Sequence, residues 1–148
     1  MIQIKPILAE ETYAIRLEVL RKNISLPHKF KGDFDKETFH LGAYLNGELV
    51  GIATFMKNEN SLFNGNQYQL RGMATLEKVR GLGAGKKIMV DAFTILKNKN
   101  VNYLWCNARV EAVPFYKKLG LQTLGNEFLI KQVGPHFIMY KKLQFKNN

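Results

Sequence analysis

The sequence predicts an α/β fold, one mixed β-sheet flanked by helices, in a single domain covering residues 1–148. Three observations carry this expectation. Two apolar runs are joined by Asn46-Gly47, the strongest two-residue hairpin signal, so they are antiparallel neighbours. A strand pattern over residues 68–75 is followed by a glycine-rich turn, an amphipathic helix and a second strand pattern over 101–107. A strand–helix–strand crossover makes that pair parallel. Two more short strand patterns close the chain, giving the order β-α-(α)-β-β-β-α-β-α-β-β.

Each element has its own signal. Residues 2–8 alternate as a first strand, with Pro6 marking an edge or an end. From Glu10 a helical pattern places Tyr13, Leu17, Leu20 and Ile24 on one face, and Glu10 and Glu11 suit its first turn. Residues 25–36 combine Pro27, His28, Gly32 and Asp33 with Phe30 and Phe34. They read as a loop or short helix, and as one wall of a substrate pocket. Phe39, Leu41, Ala43 and Leu45 face one side of the second strand. Residues 49–56 return as a third strand, apolar on both faces and therefore central. A polar loop over 57–66 leads into the fourth.

In the fourth strand Tyr68, Leu70, Gly72 and Ala74 alternate with Gln69, Arg71, Met73 and Thr75. Arg80-Gly-Leu-Gly-Ala-Gly85 then opens a helix with Ile88, Met89, Ala92, Phe93 and Leu96 on its apolar face. A strand, a glycine turn and a helix start together form an anion site: the glycines let backbone N–H groups approach a phosphate, and the helix dipole favours negative charge. Counting excludes two common phosphate loops. The nucleotide P-loop needs Gly at position 80 and Ser or Thr at 87, where the chain has Arg80 and Lys87. The dinucleotide fingerprint needs Gly at 86 and finds Lys86. What fits is Arg-x-x-Gly-x-Gly, met by Arg80, Gly83 and Gly85. After the helix and the fifth strand, a second helix starts close to Glu111, since Pro114 belongs in a first turn. Gly120 closes it, and strands over 121–124 and 137–143 follow.

The Arg80–Gly85 loop, with residues 70–75 before it, resembles the pyrophosphate loop and central strand of the GNAT superfamily of acyl-CoA-dependent N-acyltransferases. The likeness spans the full length in element order, residues 68–120 in motif, and 126–141 weakly. It implies a GNAT-like fold with a central, splayed mixed sheet and acyl-CoA between the fourth and fifth strands. It assigns the backbone of Met73, Ala74 and Thr75 to the pantetheine arm and acyl carbonyl, and Arg80, Gly81, Leu82, Gly83, Ala84, Gly85 and Lys86 to the pyrophosphate. Met73 and Thr75 also fit plain continuation of a ladder. The stretch from Asn107 to Gly120 looks like the family's second cofactor motif, with Asn107 and Lys118 as further contacts, although Lys118 equally suits solvated surface. Tyr116 matches the tyrosine that protonates the leaving CoA thiolate, and also fits a core aromatic. Residues 127–140 resemble the C-terminal segment of one small bacterial branch. There Glu127 and His136 are candidates for the base that takes the amine's proton. His136 follows Gly134-Pro135, so a turn should present it at a strand start; a structural turn histidine is the other reading.

Composition bounds the rest. A chain of 148 residues, 46% hydrophobic and 23% charged, suits one globular domain with a real core. One cysteine, Cys106, excludes an internal disulfide framework, and nothing beside it favours a nucleophile. The N-terminus does not read as a signal peptide, and no apolar run reaches the ~20 residues that span a bilayer, so a cytoplasmic protein without membrane partners is expected. His28, His40 and His136 lack ligand spacing, so no metal is expected. The net charge of +10 suits a phosphorylated partner. Scattered basic residues without a recognition motif point away from nucleic acid as the main one. The sequence therefore implies an N-acetyltransferase that moves an acetyl group from acetyl-CoA to a primary amine by direct attack on the thioester. The alternative is a catalytically silent acyl-CoA-binding or sensing module. The amine and homodimer formation are left open.

Overall fold

Turn chemistry and alternation build the first half of the sheet. The computed structural model describes residues 1–143. Strand β1 (Ile2–Ile7) pairs antiparallel with β2 (Phe39–Leu45). Asn46 and Gly47, at φ 51° and 82°, turn β2 into the antiparallel β3 (Glu48–Met56). Two positive φ values in succession are what the expected hairpin turn requires, and Asn-Gly tolerates both. β3 is buried along almost its whole length, as a central strand should be, and pairs antiparallel with β4 (Gln67–Thr75).

The second half is β5 (Tyr103–Arg109), β6 (Gln122–Ile130) and β7 (Gly134–Lys142). The full order is β1-β2-β3-β4-β5-β7-β6 in one seven-stranded sheet, with β4–β5 parallel and every other pair antiparallel. The parallel pair is short. It joins Gln67 to Tyr103, Tyr68 to Leu104 and Gln69 to Trp105, and then the ladder stops. Beyond it β4 and β5 separate, and the cleft described below opens between them.

Helix α2 (Ala84–Asn98) covers one face of β1–β4. Its Ala84, Ile88, Met89, Ala92 and Leu96 are buried at helical spacing, and they join Val50, Phe55, Leu70 and Leu104 in the main core. Each large side chain buried there contributes roughly 1.5–3 kcal/mol. Helix α3 (Val113–Lys118) carries Pro114 in its first turn, as expected.

Three sequence expectations change. The first helical region is a 3₁₀ turn (Ala9–Thr12), a short α1 (Tyr13–Ile15) and a π-helical turn (Arg16–Leu20), and it ends before Ile24. Its buried residues are Ala9, Thr12, Ile15 and Arg16, whereas Leu17 is 47% exposed. Arg16 turns inward because Asp33 meets it, and that partner lies in the loop rather than on the helix. Second, the alternation along β4 breaks at a bulge opposite Ile52–Thr54, where Gly72 has φ 64°. Leu70 and Met73 consequently both pack toward Ile88 and Met89, while Ala74 packs with Ile15 and Ile52 on the other side. The bulge supplies one extra residue, which exchanges the two faces from Gly72 onward. Third, β6 runs well past the expected residues 121–124, through an irregularity between Leu124 and Phe128, and β7 starts at Gly134.

Candidate active site

The cleft between β4 and β5 has an outer and an inner part. The outer cavity, about 650 Å³, runs along Met73–Thr75 and the glycine loop to Phe115. The inner one, about 350 Å³, lies deeper against Phe30, Arg71, Asn107, Tyr116 and His136. Val19, Met73, Arg80, Arg109 and Ala112 line both, so they form one continuous cleft.

Backbone donors dominate the outer end. Gly81 and Gly83 have φ 83° and 85°, a left-handed conformation that a side chain would strain. This bends the loop so that Gly83 caps α2. Among the described residues, the N–H groups of Gly81, Gly83, Ala84, Gly85 and Lys86 donate to no carbonyl. Gly85 is glycine for a different reason: a Cβ there would stand 3.1 Å from the Phe115 ring. Orphan N–H groups at the start of a fifteen-residue helix, beside Arg80 and Lys86, are an arrangement that could hold a phosphate group. On β4, residues after Gln69 have no partner on the β5 side. Backbone polar groups of Met73–Thr75 are therefore available to an amide-bearing chain laid in the gap.

The predicted cofactor residues mostly converge. Met73, Ala74, Thr75, Arg80, Gly81, Gly83, Ala84, Gly85 and Lys86 line the outer cavity. Leu82 does not, since its side chain is 56% exposed on the outside of the loop. Asn107 lies in the inner cavity. Lys118 is exposed in the last turn of α3 and lines neither.

Of the three proton-transfer candidates, two reach the inner cavity. Tyr116 sits on α3, 7% exposed, with its ring edge-on to Phe115. It makes no hydrogen bond among the described residues, so its hydroxyl is not committed elsewhere. Burial pushes its phenol well above the ordinary value, nearby Cys106 adds to this, and Arg109 opposes it. The hydroxyl thus keeps its proton throughout the neutral range. His136 follows a turn at the start of a strand, as the sequence suggested, but it is buried. It is the third residue of β7, 4% exposed, paired in register with Arg109 of β5 and Phe128 of β6. Its Nδ1 lies 2.7 Å from the Gly134 carbonyl. A carbonyl only accepts, so Nδ1 donates, and in the neutral ring the lone pair is on Nε2. Glu127 stands exposed in the irregular stretch of β6, lines neither cavity and pairs with nothing among the described residues.

Other titratable groups have structural duties. Burial pushes the Cys106 thiol up to about 12, which keeps it neutral and unreactive. His40 bonds the Thr54 hydroxyl and the Asp33 carbonyl at 2.7 and 2.9 Å, so it belongs to the wall rather than to the cleft. Arg16 is fully buried. It donates to both Asp33 carboxylate oxygens (2.8 and 2.9 Å), to Thr54 Oγ1 and to the His28 carbonyl. For Asp33, burial raises the carboxyl pKa, but the Arg16 hydrogen bond and the Phe30 N–H outweigh it and hold the group below the usual carboxylate range. The network fixes Phe30, whose ring lies 3.8 Å from the Arg16 guanidinium. Gly72 lets that layer approach β4, since a Cβ there would stand 3.0 Å from Phe30.

The sequence did not single out Arg21, Phe30, Arg71 or Arg109 as site residues, yet all four line the inner cavity. They come from separate segments and follow no motif. The one available signal was Gly72, because a glycine within a strand marks a bulge or a close approach.

No helix among the described residues is long and apolar enough to cross a membrane. A family model described as an acetyltransferase (GNAT) domain matches residues 7–143. The chain is 40% identical over 146 residues to the uncharacterized N-acetyltransferase YitI of Bacillus subtilis, covering 97% of this chain and 98% of that one. Its fold resembles the crystal structure of Escherichia coli ElaA, with a TM-score of 0.80 at 18% identity, 96% of this chain and 100% of the other being covered. It also resembles an aminoglycoside 6'-N-acetyltransferase complexed with coenzyme A, with a TM-score of 0.76 at 11% identity and 99% of both chains covered.

Proposed function

The chain belongs to the GNAT acetyltransferase family, and from that premise we propose that it moves the acetyl group of acetyl-CoA to a primary amine by direct attack on the thioester. The observation that carries this reading is the continuous cleft, with orphan N–H groups at its outer end and Tyr116 and His136 at its inner end. When bound, acetyl-CoA supplies an activated acyl group and a thiolate leaving group.

The residues of the cleft take distinct roles. The loop from Arg80 to Lys86 holds the pyrophosphate through backbone N–H groups and two cationic side chains. The unpaired edge of β4 at Met73–Thr75 orients the pantetheine arm and offers N–H donors where negative charge develops on the acyl oxygen. Tyr116 Oη gives a proton to the departing sulfur. It suits this because it is protonated, buried and uncommitted. His136 accepts the amine's proton at Nε2, the ring atom left free by the Nδ1 bond to Gly134. Glu127, exposed outside the cleft, has no part.

The test is CoA release over a panel of amines, with the product identified by mass. It is paired with a thermal-shift titration in which acetyl-CoA should raise the melting temperature and ATP and NAD should not. A ligand at 100 times its dissociation constant adds about 2.7 kcal/mol. An equal response to all three would mean unspecific anion binding by a cationic chain and would end this assignment of the loop.

A further inference from the structure

The inner cavity gathers positive charge, and among the described residues that line it none is acidic. Arg21 follows the π-helical turn, Arg71 lies on β4 and Arg109 ends β5, and all three reach this one space. No aspartate or glutamate lines it. The ion pairs among the described residues are Arg16–Asp33 and Lys78–Glu48, and neither involves these three arginines. Arg21 and Arg109 hold themselves in place with main-chain carbonyls. Arg21 Nε donates to Pro27 at 2.9 Å, and Arg109 Nη2 donates to Leu20 at 3.3 Å. The Arg71 side chain makes no hydrogen bond to any described residue; its guanidinium lies 4.2 Å from the Phe30 ring centroid, and that ring is itself fixed by Arg16. Stacked in this way, the planar fork is oriented but its donors remain free.

The grouping has a cost. Burial lowers the proton affinity of Arg21, and then Arg109, Arg71 and Arg16 lower it further; burial and Arg16 do the same to Arg71, which Asp33 only partly opposes. A fold that holds three guanidinium groups around one cavity, with no carboxylate among the residues that line it and Asp33 already bonded to Arg16, leaves them for an anion from outside. The cofactor's phosphates do not account for Arg21 and Arg71, which line only the inner cavity; Lys86 and the orphan N–H groups line only the outer one, and Arg80 and Arg109 line both.

We propose that the acceptor is an amine carrying an anionic group, carboxylate or phosphate, in the same molecule, and that Arg71, flanked by Arg21 and Arg109, selects it by that group. The inference rests on the acetyl-transfer reading and names the acceptor class. It sets polyamines aside, since a second cationic centre would face the guanidinium cluster. The anion would sit against the Arg71 fork with the amino group directed toward Tyr116 and His136, which line the same cavity.

The test uses matched pairs: each common amino acid beside its carboxamide, phosphoethanolamine beside ethanolamine, and spermidine alone. With the full chain and acetyl-CoA, at least one anionic member should exceed its neutral counterpart by roughly 10- to 100-fold in kcat/KM, the usual worth of a hydrogen bond to a charged group. Which pair discriminates tells carboxylate from phosphate. In Arg71→Gln the preference should collapse toward unity through KM, with the acetyl-CoA dissociation constant within a few-fold; Arg21→Gln, at a residue that lines only the inner cavity, serves if Arg71→Gln fails to fold. Equal rates within every pair, or spermidine as the best acceptor, would overturn the proposal and leave the acetyl-transfer reading standing. If no amine is acetylated, that reading fails, and the same pairs are titrated against CoA-saturated protein by thermal shift. A shift for the acid alone, lost in Arg71→Gln, would keep the anion site. Equal shifts, or none, would remove it.

Discussion

Replacing Tyr116 by phenylalanine removes one oxygen from the cleft and nothing else. The ring stays, with its edge-on contact to Phe115 and its place in the main core. The hydroxyl has no hydrogen-bond partner among the described residues, so its loss strands no buried donor or acceptor. Melting temperature should therefore move by about 2 °C or less. Acetyl-CoA affinity should stay within a few-fold, since the proposed phosphate contacts of the glycine loop lie at the other end of the cleft. The chemical step should fall by roughly 10²- to 10⁴-fold, the contribution of a positioned acid, which is about 2.7–5.5 kcal/mol of barrier. Single-turnover measurement of CoA release separates this from slow product loss. The phenol's proton affinity lies well above the ordinary value, so any alkaline loss of wild-type rate with a midpoint below about pH 10 belongs to another group. Full turnover in Tyr116→Phe, with normal melting and normal acetyl-CoA binding, would show that the thiolate leaves unassisted and would remove Tyr116 from the mechanism.

Three further outcomes are expected. His136→Gln should lower the rate at neutral pH and flatten the acidic limb of its pH profile, with recovery at high pH where more amine arrives unprotonated; an unchanged profile would mean that no proton passes through Nε2. Gly83→Asp should abolish the thermal shift with acetyl-CoA, because it strains a φ of 85° and adds negative charge beside the orphan N–H groups; normal binding would move the phosphate site elsewhere. Asp33→Asn should cost about 3–5 kcal/mol by leaving the fully buried Arg16 without its counter-charge. Asp33 is depressed below the usual range in the folded chain, so its stabilisation is complete above its unfolded value of about 3.9 and is lost as pH falls through the folded value. Chemical denaturation should then show the wild-type advantage constant at neutral pH and shrinking in acid; a difference independent of pH would mean that the carboxylate's charge is not what matters.

Much of this architecture could be read from local signals. Asn46-Gly47 specified its own turn, the spacing of Ile88, Met89, Ala92 and Leu96 specified α2, and the strand–helix–strand order specified the parallel pair. The glycine loop was legible because its function needs backbone geometry, and glycine is the residue that permits it. What escaped depends on contacts between distant segments. Arg16 looks like a surface residue of a helix until Asp33, seventeen positions on, meets it inside. The bulge at Gly72 exchanged the two faces of β4 because alternation cannot show where a residue is inserted. Arg21, Arg71 and Arg109 share a cavity only once four stretches of chain are folded together, and nothing in their local sequence says so. His136 was found, but its burial was not, because Gly134-Pro135 reads as a turn while the β5 and β6 neighbours that cover it lie far away in the sequence.

The short ladder between β4 and β5 also has a mechanical meaning. The sheet is two stiff plates, β1–β4 and β5–β7–β6, sewn along three residue pairs at one end. Opening the far end disturbs few backbone bonds, so the gap is governed by side-chain packing rather than by the sheet. A long, flexible molecule laid between the plates bonds to both and braces them, at the end opposite the seam, where leverage is greatest. A molecule bound across that gap would therefore stiffen the whole sheet as well as fill a cavity.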